Sequence, residues 1–165
     1  MNIIVNGSER EALQLKLKRQ SAFDIIRGVK KLVVYPFKER YRDKILDEAN
    51  YTEWIRNGFP ADHKPLFKKK IRYIHFTDHT NDWFLNVWVK QHFIEFLTAS
   101  NIRVLGEEFN FHDLDYLIER LERLKDDDEL DNVFAFEIGK VIETNLRPPI
   151  IVNRFLVRTY NPSTL

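Results

Sequence analysis

Hydrophobic and polar residues follow clear periods near the start of this 165-residue chain. Residues 13–18 alternate leucine with polar side chains, which predicts a strand with one buried face. A helix is expected after it, because the hydroxyl of Ser21 can accept from the amide of Asp24 in an imperfect capping box. Gly28 stands where such a helix would end in the left-handed conformation. The pattern therefore predicts a strand, a short helix and a return.

Four later segments also have strand character. They are residues 29–35, 71–77, 83–97 and 133–142. Pro36 lacks an amide donor, so the strand before it should end there or lie at a sheet edge. Residues 83–97 are apolar on both faces, which predicts a long central strand bent by a bulge. Residues 150–157 are expected to add a last strand.

The helical pattern is strongest over residues 113–125, where leucines and Ile118 recur at spacings of three and four. Asp113 is the predicted N-cap of that helix. Residues 38–57 predict a broken helix, residues 101–110 predict connecting structure with a short strand near Val104, and residues 126–129 predict an acidic turn. Strands and helices do not alternate regularly, which favours an α+β fold with a mixed or closed sheet over a doubly wound fold.

The buried side chains follow from these periods. Trp83 and Trp88 have opposite parity on one predicted strand, so one should be buried and the other partly exposed, and the exposed ring is a candidate for stacking on a base. The predicted core consists of Leu15, Leu17, Phe23, Ile26, Ile74, Phe76, Val87, Leu117, Leu121, Phe134 and Ile138.

Composition narrows the setting. The length suits a single domain over residues 1–165. The chain has no cysteine, which excludes disulfides and thiolate metal sites and predicts a reducing cytoplasm. No apolar run suggests a signal peptide or reaches the ~20 residues of a spanning helix, so no membrane association is predicted. The dispersed glycines form neither a phosphate loop nor a nucleophile elbow.

Charge is unevenly distributed although the net charge is only +1. Residues 10–44 hold eleven basic and four acidic side chains, and residues 64–72 add five basic ones without an acid. Residues 107–131 hold eleven acidic and three basic side chains. This asymmetry indicates either a polyanion partner or two ordinary solvated faces. The acidic segment is also a candidate surface for a protein partner.

Residues 14–35 resemble the opening of ASCH domains, which are small barrels of the PUA-like superfamily. In that family the first strand leads to a helix ending in glycine, followed by a lysine-containing second strand, and Gly28 and Lys30 match these two positions. The family's threonine, glutamate and arginine positions hold Lys31, Val33 and Tyr35. Segments 70–78 and 133–144 agree loosely, so the resemblance covers about residues 13–144 and leaves 145–165 as an extension.

The resemblance implies a PUA-like mixed β-barrel of five to seven strands with two to four peripheral helices. It implies a cleft that binds RNA or a nucleotide and, as an alternative, hydrolysis of a modified nucleoside or of RNA in the same cleft. The hydrolases of this family use a lysine, a threonine and a later glutamate. Lys30 matches the lysine, while Glu95 and Glu137 are only candidates for the glutamate. Catalytic residues are therefore not assigned, and a non-enzymatic binding module or a protein–protein adaptor stays open.

The predicted nucleic-acid-binding residues are Lys18, Lys30, Lys31, Tyr35 and Arg40, gathered around one basic cleft. Lysines after a helix C-terminus also stabilise the helix dipole without any ligand, so the motif has a purely structural interpretation. His75 and His79 are four residues apart, but on a strand and turn this spacing does not form a metal site. No metal and no cofactor are predicted.

Overall fold

The structure of the protein is a computed structural model that describes residues 1–60, 62, 64, 67–68, 70–124 and 131–149. The strands are β1 (Asn2–Val5), β2 (Ser8–Glu11), β3 (Leu13–Lys16), β4 (Leu32–Pro36), β5 (Tyr73–Thr77), β6 (Leu85–Phe96) and β7 (Asn132–Thr144). The helices are α1 (Arg19–Ile26), α2 (Glu39–Ile45), α3 (Glu48–Arg56), α4 (Ala99–Phe109) and α5 (Ile118–Glu122), with a short 3-10 helix (Asp115–Leu117) before α5.

Five strands form one mixed sheet in the order β3-β5-β6-β7-β4. The β3–β5 pair is parallel and the other three pairs are antiparallel. The sheet curls into a half-barrel, so the prediction of an α+β fold with a mixed sheet is confirmed. The described strands do not close into a barrel, because β3 and β4 are the two edges of the sheet and do not pair with each other. The described part of the chain has five α-helices, which is more than the two to four that were predicted.

The inner face of the sheet holds the main core. Phe76, Phe134 and Phe136 are fully buried there among aliphatic side chains from β3, β4 and β6. Helices α1 and α2 close the concave side, with Ala22, Ile25 and Ile45 in the same core. The Tyr35 hydroxyl donates to the backbone carbonyl of Lys16 at 2.7 Å, which links the two sheet edges across the interior.

Helices cover the β7–β4 part of the outer face and the C-terminal half of β6, where Phe109 of α4 stacks on Phe93. Leu105 of α4 and Phe111 pack on Leu32 and Ala135, and Ile102 packs on Val133. Among the described elements, no helix packs on the outer face at Trp88, which is 46% exposed. The outer face is therefore covered at one end of the sheet and exposed around Trp88 at the other.

Strands β6 and β7 pair along most of their length, and their register shifts between Asn86 and Gln91. Val87 lies opposite Val141, whereas Val89 lies opposite Ile138, so β7 carries one extra residue at this point. Each bulge reverses the inside–outside alternation once, which explains why the sequence is apolar on both faces. The predicted long bent strand is confirmed. Pro36 also ends β4 at a sheet edge, as predicted.

The predicted start of α1 at Ser21 is wrong. The helix begins at Arg19 after Lys18, no side chain caps it, and Ser21 lies within it. This register buries Ala22 and Ile25, because they share the face that meets the sheet. Gly28 adopts the predicted left-handed conformation with φ of 78°.

The predicted core is confirmed in its strand residues except Leu17, and its helical residues are only partly buried. Leu15, Ile74, Phe76, Val87, Phe134 and Ile138 are buried. The others are only partly buried: Leu17, Phe23, Ile26, Leu117 and Leu121. Strand parity locates buried residues directly, whereas the helical positions depended on helix bounds that the sequence did not fix.

The interpretation of residues 101–110 as connecting structure is wrong. They belong to α4, whose start is capped by the Thr98 hydroxyl accepting from the Asn101 amide at 3.0 Å. The predicted helix over 113–125 is shorter, because it begins as the 3-10 helix and becomes α5 only at Ile118. Asp113 does not cap it and instead pairs with Lys30.

Two predictions, the acidic turn at 126–129 and the strand at 150–157, lie outside the described residues. Among the residues that are described, no helix is long and apolar enough to cross a membrane.

The packing of α1 generates a test with two adjacent isoleucines. Ile25 is 4% exposed, and Ile26 is only partly buried. We expect Ile25→Ala to lower the free energy of unfolding by ~2–5 kcal/mol, as for other buried isoleucines. Ile26→Ala should cost clearly less. Urea denaturation of both variants measures the difference, and a larger loss for Ile26→Ala would contradict the helix register.

Candidate nucleic-acid interface

The structure separates the basic residues that the sequence assigned to one cleft. Lys18 lines a shallow depression with Lys16, Arg19 and His79 at the end of β3. Lys30 and Lys31 line a different depression that also contains Asp24 and Asp113. These two depressions share no lining residue, so the predicted lysines do not converge.

Lys30 is engaged within the protein. Its ammonium forms an ion pair with Asp113 and lies 5.1 Å from the centre of the Phe111 ring. The side chain of Lys30 is only 15% exposed. Such a cation fastens the loop after α4 to the start of β4 by charge and by cation–π contact. Neighbouring Lys31 is exposed.

Tyr35 is buried in the core, whereas Arg40 is exposed on α2. Tyr35 is 6% exposed, and its ring lies 5.2 Å from that of Tyr41. Burial raises the pKa of Tyr35 well above its usual range, with a smaller contribution from Tyr41. The Arg40 guanidinium lies over the ring of Tyr41, at 4.7 Å from the ring centre. Tyr35 therefore has no free face for a base.

A more strongly basic cleft lies at the opposite end of β3, where β2, α2 and the approach to β5 meet. Its volume is about 420 Å³. We call it the basic cleft and define it by five cationic side chains: Arg10, Lys44, Lys68, Lys70 and Arg72. Glu11 is its one acidic lining residue. Leu13, Ile45 and Ile71 give it apolar walls, and Tyr73 lines it as well.

Three backbone contacts hold the cationic segment that ends at Arg72. The Lys68 amide donates to the Ile45 carbonyl at 2.8 Å, next to a bridge between Leu46 and Phe67. The Arg72 carbonyl accepts from the Val89 amide at 2.8 Å. Between them, the Ile71 amide donates to Nε2 of His92 at 3.2 Å. Hydrogen bonds thus hold the backbone at Lys68, Ile71 and Arg72, although these residues precede β5.

His92 is the titratable group that supports this segment. It lies half-buried on β6 against the Phe67 ring, with the ring centres 4.1 Å apart. Burial lowers the pKa of His92 below 6.5, and the charge of Lys70 lowers it further. Because Nε2 accepts from Ile71, the neutral form fits this position and the protonated form does not.

The sequence contained a signal for the basic cleft. Residues 64–72 hold five basic side chains and no acid, and three of the five cleft cations come from this run. The resemblance directed attention to Lys30 instead. Arg10 and Lys44 could not be added from sequence, because their approach depends on how β2 and α2 pack beside β5.

The two tryptophans of the β6 region divide as predicted. Trp83 is 3% exposed and its indole N–H donates to Asp78 Oδ2 at 2.7 Å, whereas Trp88 is 46% exposed. The pKa of Asp78 is lowered to about 2, mainly by the hydrogen bond from the Thr80 side chain. Partial desolvation opposes this shift, and the hydrogen bond from Trp83 adds to it. Trp88 is therefore the exposed aromatic of this strand.

The candidate glutamates do not assemble a recognisable catalytic group with Lys30. Glu137 accepts from Gln91 at 3.0 Å and pairs with Lys90 at 3.4 Å. Glu95 is half-buried, and burial raises its pKa. Across the described ranges, no three metal-binding side chains gather at one point.

Comparison of the chain with known protein families, curated proteins and solved structures finds no match. The contacts and charges of this molecule therefore carry the functional assignment.

His92 gives a testable pH dependence. A lowered pKa in the folded state means that the unfolded state binds the proton more readily. The stabilisation is therefore complete above the unfolded value of 6.5 and is lost as the pH falls through the lower, folded value. We expect the unfolding free energy to drop between about pH 7.5 and about pH 5. The drop should be smaller in His92→Gln, which can still accept from Ile71. Urea denaturation at both values measures this, and an equal drop in the two proteins would contradict it.

Proposed function

We propose that this protein binds single-stranded RNA or a nucleotide in the basic cleft. The observation that carries the proposal is the convergence of five cations on one apolar-walled cleft with a single acidic residue, Glu11. Phosphate groups are bound mainly by Lys and Arg, which release counterions from the nucleic acid. A volume of about 420 Å³ suits a nucleotide-sized group.

The shape of the site favours a flexible single strand over a duplex. The cleft is bounded by the β1–β2 hairpin on one side and by the end of α2 on the other. Leu13, Ile45 and Ile71 provide apolar contact for a sugar or a base beside the charged rim. Bases of a single strand are free to enter such a site, whereas duplex bases are stacked and paired. The proposal includes the assignment of this half-barrel to the PUA-like superfamily.

The test is the salt dependence of binding to a single-stranded RNA of about ten nucleotides. The logarithm of the affinity should fall linearly with the logarithm of the salt concentration. Lys70→Ala and Arg72→Ala should each weaken binding and reduce the slope by ~0.7, the value per phosphate released from a single strand. Fluorescence anisotropy with labelled RNA gives both quantities.

Lys31→Ala is the matched control, because Lys31 is an exposed cation outside the basic cleft. It changes the net charge equally and should leave the slope at the wild-type value. If Lys31→Ala lost binding while Lys70→Ala kept it, the binding site would lie next to Gly28 and Lys30 and not in the basic cleft. Absence of RNA and nucleotide binding at low salt would end the proposal.

A further inference from the structure

Trp88 stands on the part of the sheet that no described helix covers. It is the most exposed of the three tryptophans, at 46%, whereas Trp54 and Trp83 are each 3% exposed. An exposed indole on a strand offers an aromatic surface on which a planar group such as a base can stack. Its surroundings indicate what that group is.

Gly139 provides the base on which the indole rests. A Cβ atom at this position would lie 2.8 Å from Cε3 of Trp88 and 3.5 Å from Cζ3. The ring therefore lies directly over the glycine backbone of β7, which any side chain would prevent. In the described part of the chain, no second ring stacks on this indole. One face is thus supported, while the ring keeps a large exposed area.

Tyr73 connects this ring to the basic cleft. It pairs directly with Trp88 across β5 and β6, so both side chains project from the same face of the sheet. Tyr73 also lines the basic cleft, and Arg72 precedes it along the chain. Tyr73 thus adjoins both the basic cleft and Trp88.

We infer that Trp88, seated on Gly139 and continued by Tyr73, is a base-stacking subsite for single-stranded RNA. This inference rests on the proposed function, because the cations of the basic cleft supply the charge complementarity that brings RNA to the ring. Stacking on an aromatic side chain accepts every base, since each base has a π-face. The subsite thus adds affinity without sequence preference.

The experiment compares a ten-nucleotide single-stranded RNA with an abasic ribose-phosphate oligomer of the same length. For the RNA, Trp88→Ala should weaken binding about five- to 150-fold, the effect of losing one base–aromatic stack, with the salt slope unchanged. Trp88→Phe should retain most of the affinity. The abasic oligomer should bind wild type and Trp88→Ala equally, because it offers only phosphates.

Two further readouts separate stacking from a loss of structure. Tyr116→Ala is the aromatic control, because Tyr116 is 77% exposed on the 3-10 helix, and it should bind RNA as wild type does. RNA should also quench the tryptophan emission of the wild type and not that of Trp88→Phe, whose remaining tryptophans are buried. Circular dichroism of each variant checks the fold.

Each alternative result has a distinct meaning. Wild-type affinity for RNA in Trp88→Ala, with cleft variants still impaired, would overturn the stacking subsite and leave the proposed function intact. Equal weakening for RNA and for the abasic oligomer would also overturn it. Self-association of the wild type that is lost in Trp88→Ala, without any effect on RNA, would identify the ring as a protein contact. Failure of the wild type to bind RNA would overturn both proposals.

Discussion

The bulged pairing of β6 with β7 is the constraint on which the rest of the molecule depends. These strands carry Phe134, Phe136 and Ile138 on the inner face and Ala135 on the outer face. The register shifts let β6 place Val87, Val89 and Ile94 in the same core, which an unbroken side-chain period of two would not allow. The same shifts allow Trp88 to rest over Gly139, and β6 also supplies His92. Core packing, the exposed ring and the support of the basic cleft therefore share one origin.

The curl of the sheet decides where a ligand site can form. Tyr35 reaches from β4 to the Lys16 carbonyl and, with α1, fills the concave side between the two sheet edges. Its hydroxyl is buried, so the hydrogen bond offsets a desolvation cost that an unpaired hydroxyl would incur. That end of the interior is occupied by packing. The space left at the opposite end of β3 becomes the basic cleft, whose walls are the ends of the same apolar faces.

Sequence periodicity was informative wherever side-chain parity alone determined the outcome. The five main strands, Pro36 at an edge and the division between Trp83 and Trp88 follow from the period of two and from backbone chemistry. The helices were less predictable: α4 was missed because the segment near Val104 suggests a strand, while Thr98 and the burial of Ile102 fix a helix. Site residues were least predictable, because the cleft joins segments that are distant in sequence and meet only in the folded sheet.

The charge asymmetry of the sequence acquires a direction in the structure. The basic cleft lies at the β3–β5 edge of the sheet, whereas α4 and α5 lie over the β7–β4 end. There the basic side chains are matched by acids, as in the pairs Arg103–Glu122 and Lys30–Asp113. For the proposed RNA ligand, this arrangement implies repulsion from the acidic end and attraction to the opposite edge, which would orient it before contact. The number of lysines in a segment thus matters less for binding than whether acids neutralise them where they converge.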